Sequence, residues 1–408
     1  MTAQWRPAPP SQRHQNIDII RGLALFGVLM INLWASFRVP MLENILHHYP
    51  QTSPLNHAVD LLLVGFLDFK ALTMFSFLFG VGIAIQFERA TARDVSGRVF
   101  LMRRFLCLLA LGMVHMFLIW NGDILCLYAI CGLLLIPFVS LPWSVLTLIG
   151  AGFIALQEFA SFPLDFPSGA TAIAEIARAR AVYGSGSALT ILNYRVDEAI
   201  SLVIPILLSV LPRTLGLMFW GLAAWRGGMF RAPSAHPRRF ALVLIIGLAV
   251  GTPITVNEIS KEATGSALLP WLHTPHIDAS LWLAMAYVSG LLLWLTPQRA
   301  LRLPRLAAMG RMALTNYLVQ SIVLGIIFFG YGFGQLGRTG SAGGVGIGLA
   351  IYLLQLQLSR WWLIRYQFGP FEWLWRSLTY GRRQPLLRES SAPESLSAHN
   401  HDRSTGPR

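Results

Sequence analysis

From Asn16 to Trp34 the chain reads N-I-D-I-I-R-G-L-A-L-F-G-V-L-M-I-N-L-W, apolar after its first residue except at Asp18, Arg21 and Asn32. About ten stretches of similar length succeed one another, by the rule of roughly 20 residues per membrane crossing. They fall near 17–36, 59–87, 101–120, 123–140, 143–160, 199–225, 240–257, 279–296, 312–332 and 343–363. Hydrocarbon offers no partner to a backbone amide, so long apolar runs must satisfy their own hydrogen bonds as helices. The expected fold is therefore all-α: a polytopic membrane bundle of about ten helices. Within it Asp18 and Arg21 need a reason, because an unpaired charge in hydrocarbon costs at least about 2.5 kcal/mol. Three residues apart, they share a helical face and can pair. Asn32 lies about 16 Å further along the axis, at the opposite end of that helix.

Charge placement gives the orientation. Only 12% of the 408 residues are charged, yet the formal net charge is +13. The arginines sit in short connections between apolar runs, without an aromatic-interleaved basic face, which argues against nucleic-acid binding and for a topology signal. Arg89, Arg93, Arg98, Arg103 and Arg104 fill the second connection and its edge; Arg226, Arg231, Arg238 and Arg239 the sixth; Arg299, Arg302, Arg305 and Arg311 the eighth. These connections are expected in the cytoplasm together with both termini. The resulting division is a cytoplasmic segment 1–15, a helical domain 16–381 and a disordered cytoplasmic tail 382–408, with outward loops near 37–58 and 161–197. The first apolar run carries charge and lacks a convincing small-residue cleavage site, so it is expected to be retained.

The sequence contains no Walker loop, no G-x-S-x-G elbow and no cysteine pair at zinc spacing. Cys107, Cys126 and Cys131 fall in apolar runs and read as small buried hydrophobes. His47 and His48 are adjacent and His273 and His276 flank Pro275, both poor geometries for a metal site, so no metal is expected.

The candidate functional groups are polar residues inside the spans or at their mouths. Asp68 and Lys70 in G-F-L-D-F-K-A-L-T-M-F-S-F-L-F-G-V-G suit either a register-fixing ion pair or contact with a charged ligand. In L-G-M-V-H-M-F-L-I-W-N-G-D-I-L-C-L-Y the chain turns back at Asn121 and Gly122. Asp123 suits a helix cap or a ligand contact, and His115 a hydrogen-bonded core position or a chemical role. Thr315, Asn316 and Gln320 recur at helical spacing, a stripe that serves helix–helix hydrogen bonds or a ligand-lined cavity. Arg213 follows Pro212 and is expected at carbonyls that the proline frees.

Five segments carry a family resemblance: D-I-I-R-G-L-A-L-F-G-V-L-M-I-N-L, K-A-L-T-M-F-S-F-L-F-G-V-G, N-G-D-I-L-C-L-Y-A-I, G-R-M-A-L-T-N-Y-L-V-Q-S and W-W-L-I-R-Y-Q-F-G-P-F-E-W-L-W-R-S-L-T-Y-G. From Asp18 to Gly381 the chain resembles the YeiB-like family of bacterial inner-membrane proteins, the domain of unknown function 418. More distantly, Arg21 and Asn32 in the first helix resemble the opening pattern of the transmembrane acyltransferase superfamily. In its bacterial branch a histidine stands where this chain has Asn32; its glucosaminide branch has asparagine there and takes a histidine from the loop before the second helix. That resemblance implies His57 as general base, with His48 as the second choice and Asn32 orienting it or donating to the oxyanion. It also implies Arg21, with Arg104 or Arg311, on the phosphates of acyl-CoA. Lys70, His115, Asp123, Arg311, Asn316 and Gln320 complete the substrate-binding candidates. The expected activity is transfer of an acyl group from cytoplasmic acyl-CoA to an extracytoplasmic acceptor such as a glycan or small metabolite, without a permanently bound cofactor. Two other readings use the same polar groups: a transporter or channel for a small molecule or lipid, and a noncatalytic scaffold. No inverted repeat of the transporter kind is evident between the two halves.

Overall fold

The computed structural model describes residues 14–46, 53–92, 96–160, 164–266, 268 and 279–388. His47, His48, His273 and His276 lie outside them. All named elements are helical, and among the described residues the sole strand-like pairing is an isolated bridge between Tyr366 and Leu387. The α-helices are α1 (Gln15–Asn32), α2 (Met41–Ile45), α3 (Pro54–Phe66), α4 (Lys70–Thr91), α5 (Gly97–Val114) and α6 (Leu125–Leu135). They continue as α7 (Trp143–Phe159), α8 (Gly169–Ser185), α9 (Ala188–Glu198), α10 (Ile204–Ser209), α11 (Leu211–Arg226) and α12 (Pro237–Thr264). The last six are α13 (Ala279–Trp294), α14 (Pro297–Leu301), α15 (Pro304–Arg311), α16 (Ala313–Phe328), α17 (Ser341–Arg365) and α18 (Pro370–Tyr380).

Five segments are long and apolar enough to cross a membrane: Gln15–Phe37, Pro54–Thr91, Gly97–Ile119, Pro237–Lys261 and Ser341–Arg365. Two bent pairs raise the number to seven, α9–α10 with α11 at 45° and α15 with α16 at 80°. The protein is an all-α membrane protein, but the described residues do not reach the expected ten spans. The expected runs at 123–140, 143–160 and 279–296 become apolar helices of only 10–17 residues. At 1.5 Å per residue even the longest covers about 26 Å, short of the hydrocarbon thickness.

The expected single run at 59–87 also breaks. Phe69 takes a left-handed backbone conformation, φ 52°, between α3 and α4. Lys70 opens α4 there and donates to the carbonyl of Val64 at 2.8 Å, meeting the C-terminal end of α3. Arg213 does not act through freed carbonyls alone: its Nη2 reaches the hydroxyls of Thr73 at 2.6 Å and Ser280 at 2.5 Å.

Helix α1 lies at the centre. Of its apolar window 67% is buried, against 28% for α5 and for α17. Close crossing needs small residues, since lipid supplies no hydrophobic force between helices and van der Waals contact must do so. Where α1 crosses α15, a Cβ on Gly310 would overlap the carbonyl oxygen of Asp18, and one on Gly22 would press on that of Leu306. Gly310→Val is therefore expected to destabilise the bundle by about 1–3 kcal/mol, the usual range for overpacking. A detergent thermal melt checks this, an unchanged midpoint being the contrary result.

The C-terminal boundary comes later than expected. Residues 382–388, assigned by composition to the disordered tail, run back along α17 and α18. Gln367 N donates to Leu386 O at 2.8 Å and Trp373 Nε1 to Gln384 O at 2.7 Å. Backbone pairing holds this polar strip, which composition does not register. Residues 389–408 lie outside the described part.

Candidate functional site

Helices α1, α4, α5, α6, α15, α16 and α18 surround a cavity of about 370 Å³. Its two ends differ in chemistry. At one end stand Arg21, Arg89, Arg104, Arg311 and Arg376, with Asp18 and Glu372 as the carboxylates facing them. Five guanidinium groups against two carboxylates leave a surplus of positive charge, suited to an anion of several charges. The other end is walled by Leu25, Val28, Phe79, Leu108, Tyr128 and Tyr317. An amphiphile with an anionic head and an apolar tail fits this division.

The arginines are held in place. Asp18 sits 3.9 Å from Arg21, one turn away, and Arg21 Nη2 also donates to Leu78 O at 3.1 Å. Arg104 lies 3.5 Å over the Trp375 ring, whose Nε1 donates to Arg104 O at 2.8 Å. Arg376 lies 4.4 Å over Phe368. Such contacts hold a guanidinium group against an aromatic face.

Glu372 joins the mouth to the bundle. Its two carboxylate oxygens accept from Thr315 N at 3.0 Å and Thr315 Oγ1 at 2.5 Å, capping the first turn of α16. Burial holds its carboxyl above the usual range, against the lowering effect of the Thr315 bonds. Glu372→Ala is expected to cost about 1–2 kcal/mol, as loss of a helix cap does. The check is a thermal melt beside Glu372→Gln, which keeps one acceptor and should fall between; equal midpoints for all three contradict the assignment.

Behind the apolar end lies a histidine–aspartate pair. After α5 the chain makes a π-helical turn, His115–Ile119, closed by Trp120 N on His115 O at 2.8 Å. It then reverses through Asn121 and Gly122 into α6. His115 Nδ1 lies 2.8 Å from Asp123 Oδ1, and both residues are buried, at 0% and 1% exposure. Asp123 Oδ2 accepts from Cys126 N at 2.6 Å, so this carboxylate caps α6 and orients the imidazole together. With Nδ1–H on the carboxylate, the ring's lone pair falls on Nε2, which meets no hydrogen-bond partner among the described residues. The pair is one ring away from the cavity. Tyr317 lines it, and its ring centroid is 5.1 Å from that of His115.

Beyond the pair, away from the arginines, Trp120 stacks on Phe37 at 4.7 Å and Phe37 on Phe329 at 5.4 Å. Glu198, 7% exposed, accepts from Asn121 Nδ2 and Tyr183 OH, each at 2.6 Å, and Arg195 donates to Leu118 O at 2.9 Å. This second polar cluster is tied to the same 115–123 reversal.

Among the residues expected to act, the structure brings Arg21 and Arg311 to the mouth of the cavity and pairs His115 with Asp123 behind Tyr317, off the cavity wall. Asn32 ends α1 ahead of a π-helical turn, Leu33–Phe37, and does not line the cavity. His57, half-buried in the first turn of α3, does not line it either. His48 lies outside the described residues. Asn316 and Gln320 join α16 to α17: Asn316 Nδ2 donates to Ser359 Oγ at 2.9 Å, Gln320 Nε2 to Gln355 Oε1 at 2.7 Å. Lys70 is spent at the α3–α4 break. Sequence reasoning passed over Glu372, Trp375 and Arg376, although their spacing sets them on one face of α18. It also passed over Tyr317, inside a motif already singled out.

The family described as "Protein of unknown function (DUF418)" matches residues 224–382. The chain is 31% identical to the uncharacterized protein YxaH of Bacillus subtilis, over 94% of this chain and 98% of that protein. It is 29% identical to an uncharacterized 39.9 kDa protein in the amylase 3′ region of Bacillus acidopullulyticus, over 95% and 99% respectively. The uncharacterized protein YeiB of Escherichia coli is 27% identical, over 93% and 100%. No solved structure matches the chain.

Proposed function

The chain belongs to the YeiB-like DUF418 family, and from that premise we propose that it is an acyltransferase of the bacterial inner membrane. It draws acyl groups from cytoplasmic acyl-CoA and delivers them to an acceptor on the far side. One observation carries the reading: a cavity cationic at one end and apolar at the other, with a buried His115–Asp123 pair behind its apolar end.

The arginine end takes the phosphates of coenzyme A, and the acyl thioester extends along the apolar walls toward Tyr317. An acceptor hydroxyl or amine attacks the thioester carbonyl, and its proton is relayed through water to His115 Nε2, which lies behind the Tyr317 ring rather than on the cavity wall. The C–S bond breaks, and the departing thiolate recovers that proton from His115. Asp123 holds the imidazole in the required tautomer and offsets the charge it gains. This reading moves the base from His57 to His115, because the latter has a carboxylate partner, a free Nε2 and the cavity within one ring.

The test uses protein reconstituted in liposomes, acyl-CoAs of several chain lengths and a cell-envelope extract as acceptor source, with release of the coenzyme A thiol as readout. Protein-dependent release that His115→Gln removes is expected. Absence of release with every acyl-CoA contradicts the proposal, and label entering the lumen without thiol release assigns the cavity to a transporter instead.

A further inference from the structure

We propose that Tyr317 is the hydrogen-bond donor to the thioester carbonyl as it becomes an oxyanion. The inference rests on the acyl-CoA reading of the cavity. Two tyrosines, Tyr128 and Tyr317, line its apolar walls, and the surroundings of their hydroxyls differ. Tyr128 OH lies 2.9 Å from Ser76 Oγ, and Ser76 Oγ in turn donates to Leu72 O at 2.9 Å. Either hydroxyl can donate in that pair, and Leu72 O, 3.5 Å from Tyr128 OH as well, accepts from it, so the Tyr128 hydroxyl sits in a closed set of internal contacts. The polar contact of Tyr317 is weaker: its hydroxyl stands 3.4 Å from Gly122 O, well beyond the ordinary 2.5–3.0 Å of an O–H···O bond. A ligand oxygen at normal distance competes readily with such a contact.

Position separates Tyr317 further. It is 5% exposed, fixed on α16, and stands between the cavity and His115. A carbonyl at the inner end of the cavity thus meets Tyr317, with the imidazole beyond its ring. In the transfer step the acceptor's lone pair forms the new bond to carbon and the C=O π pair moves to oxygen. Tyr317 O–H bonds that oxygen and keeps its proton. The pair then returns as the C–S bond breaks, while the acceptor proton travels by way of His115 to the thiolate. A donor that bonds the oxyanion more strongly than the ground-state carbonyl lowers the barrier without tightening binding.

The experiment compares wild type with Tyr317→Phe, which keeps the ring packed against His115. Saturable binding of acetyl-CoA is measured first by calorimetry in detergent. The carbonyl stretch of bound 13C-labelled acetyl-CoA is then read by isotope-edited infrared difference, followed by kcat and KM for thiol release. The expected results are equal binding, a carbonyl band at higher wavenumber in the variant, and kcat lower by about 100-fold with KM unchanged. An identical band and equal kcat overturn the role of Tyr317 alone. Failure of wild type to bind acetyl-CoA overturns the acyl-CoA reading and this inference with it.

Discussion

Replacing His115 by glutamine is expected to lower acyl transfer by about 1,000-fold, within the usual contribution of a positioned general base, and to leave acyl-CoA binding unchanged. The reason is local. His115 is fully buried, its Nδ1 is taken up by Asp123 and its Nε2 is free. Glutamine is close in size and polar, but it takes up no proton near neutral pH. Asp123→Asn should reduce transfer as well, because an amide presents the wrong partner to Nδ1–H and turns the ring or its tautomer. It should also lower the melting midpoint, since Asp123 caps α6 through Cys126 N. His115→Gln separates the two effects, changing chemistry more than stability. Thiol release and calorimetric binding on both variants, with melts, check this; transfer surviving in His115→Gln removes the base from the account.

Loss of one arginine at the mouth is expected to weaken acyl-CoA binding by about 10- to 100-fold, the equivalent of one charge-assisted hydrogen bond of about 1.5–3 kcal/mol. Arg104→Ala is expected to show it most cleanly. That side chain lies 3.5 Å over the Trp375 ring, whereas Arg21 also engages Asp18 and Leu78 O. Arg104→Lys should recover only part of the loss, for an ammonium neither stacks on an indole as a plane nor binds phosphate with two parallel bonds. The affinity lost should shrink as salt rises, since screening already weakens the wild-type contact. Calorimetry at two ionic strengths tests this. Equal affinities for wild type and Arg104→Ala place the phosphates elsewhere.

The membrane bundle was legible because spans announce themselves by length, and the bilayer leaves the backbone few alternatives. The break at Phe69 was not: Asp68 and Lys70 flank it, but a charged pair inside a span reads equally as a register-fixing ion pair, and no glycine or proline stands at the turn itself. The count of ten is not confirmed for a similar reason: hydropathy carries past the ends of α6 and α7, whose helices stop earlier.

At the site, the Asp18–Arg21 pair followed from helical spacing, and α1 does present it to the cavity. His115 and Asp123 were both noticed, but their pairing depends on a π-helical turn and a reversal that fold eight residues into a 2.8 Å contact. Asn316 and Gln320 had two readings, and their partners on α17, Ser359 and Gln355, lie on a distant segment whose register the sequence does not reveal. Glu372 and Trp375 escaped notice for the same reason, since their partners Thr315 and Arg104 are 57 and 271 residues away.

The central claim is that this cavity holds acyl-CoA head-outward, and photo-crosslinking tests it most directly. A diazirine at the end of the acyl chain of an acyl-CoA, irradiated with the protein in detergent and mapped by mass spectrometry, should label the apolar end around Leu108, Leu125 and Tyr317. Unlabelled acyl-CoA should compete, and Arg104→Ala should weaken the labelling. Labelling confined to lipid-facing surfaces, or insensitive to competitor, would contradict the account.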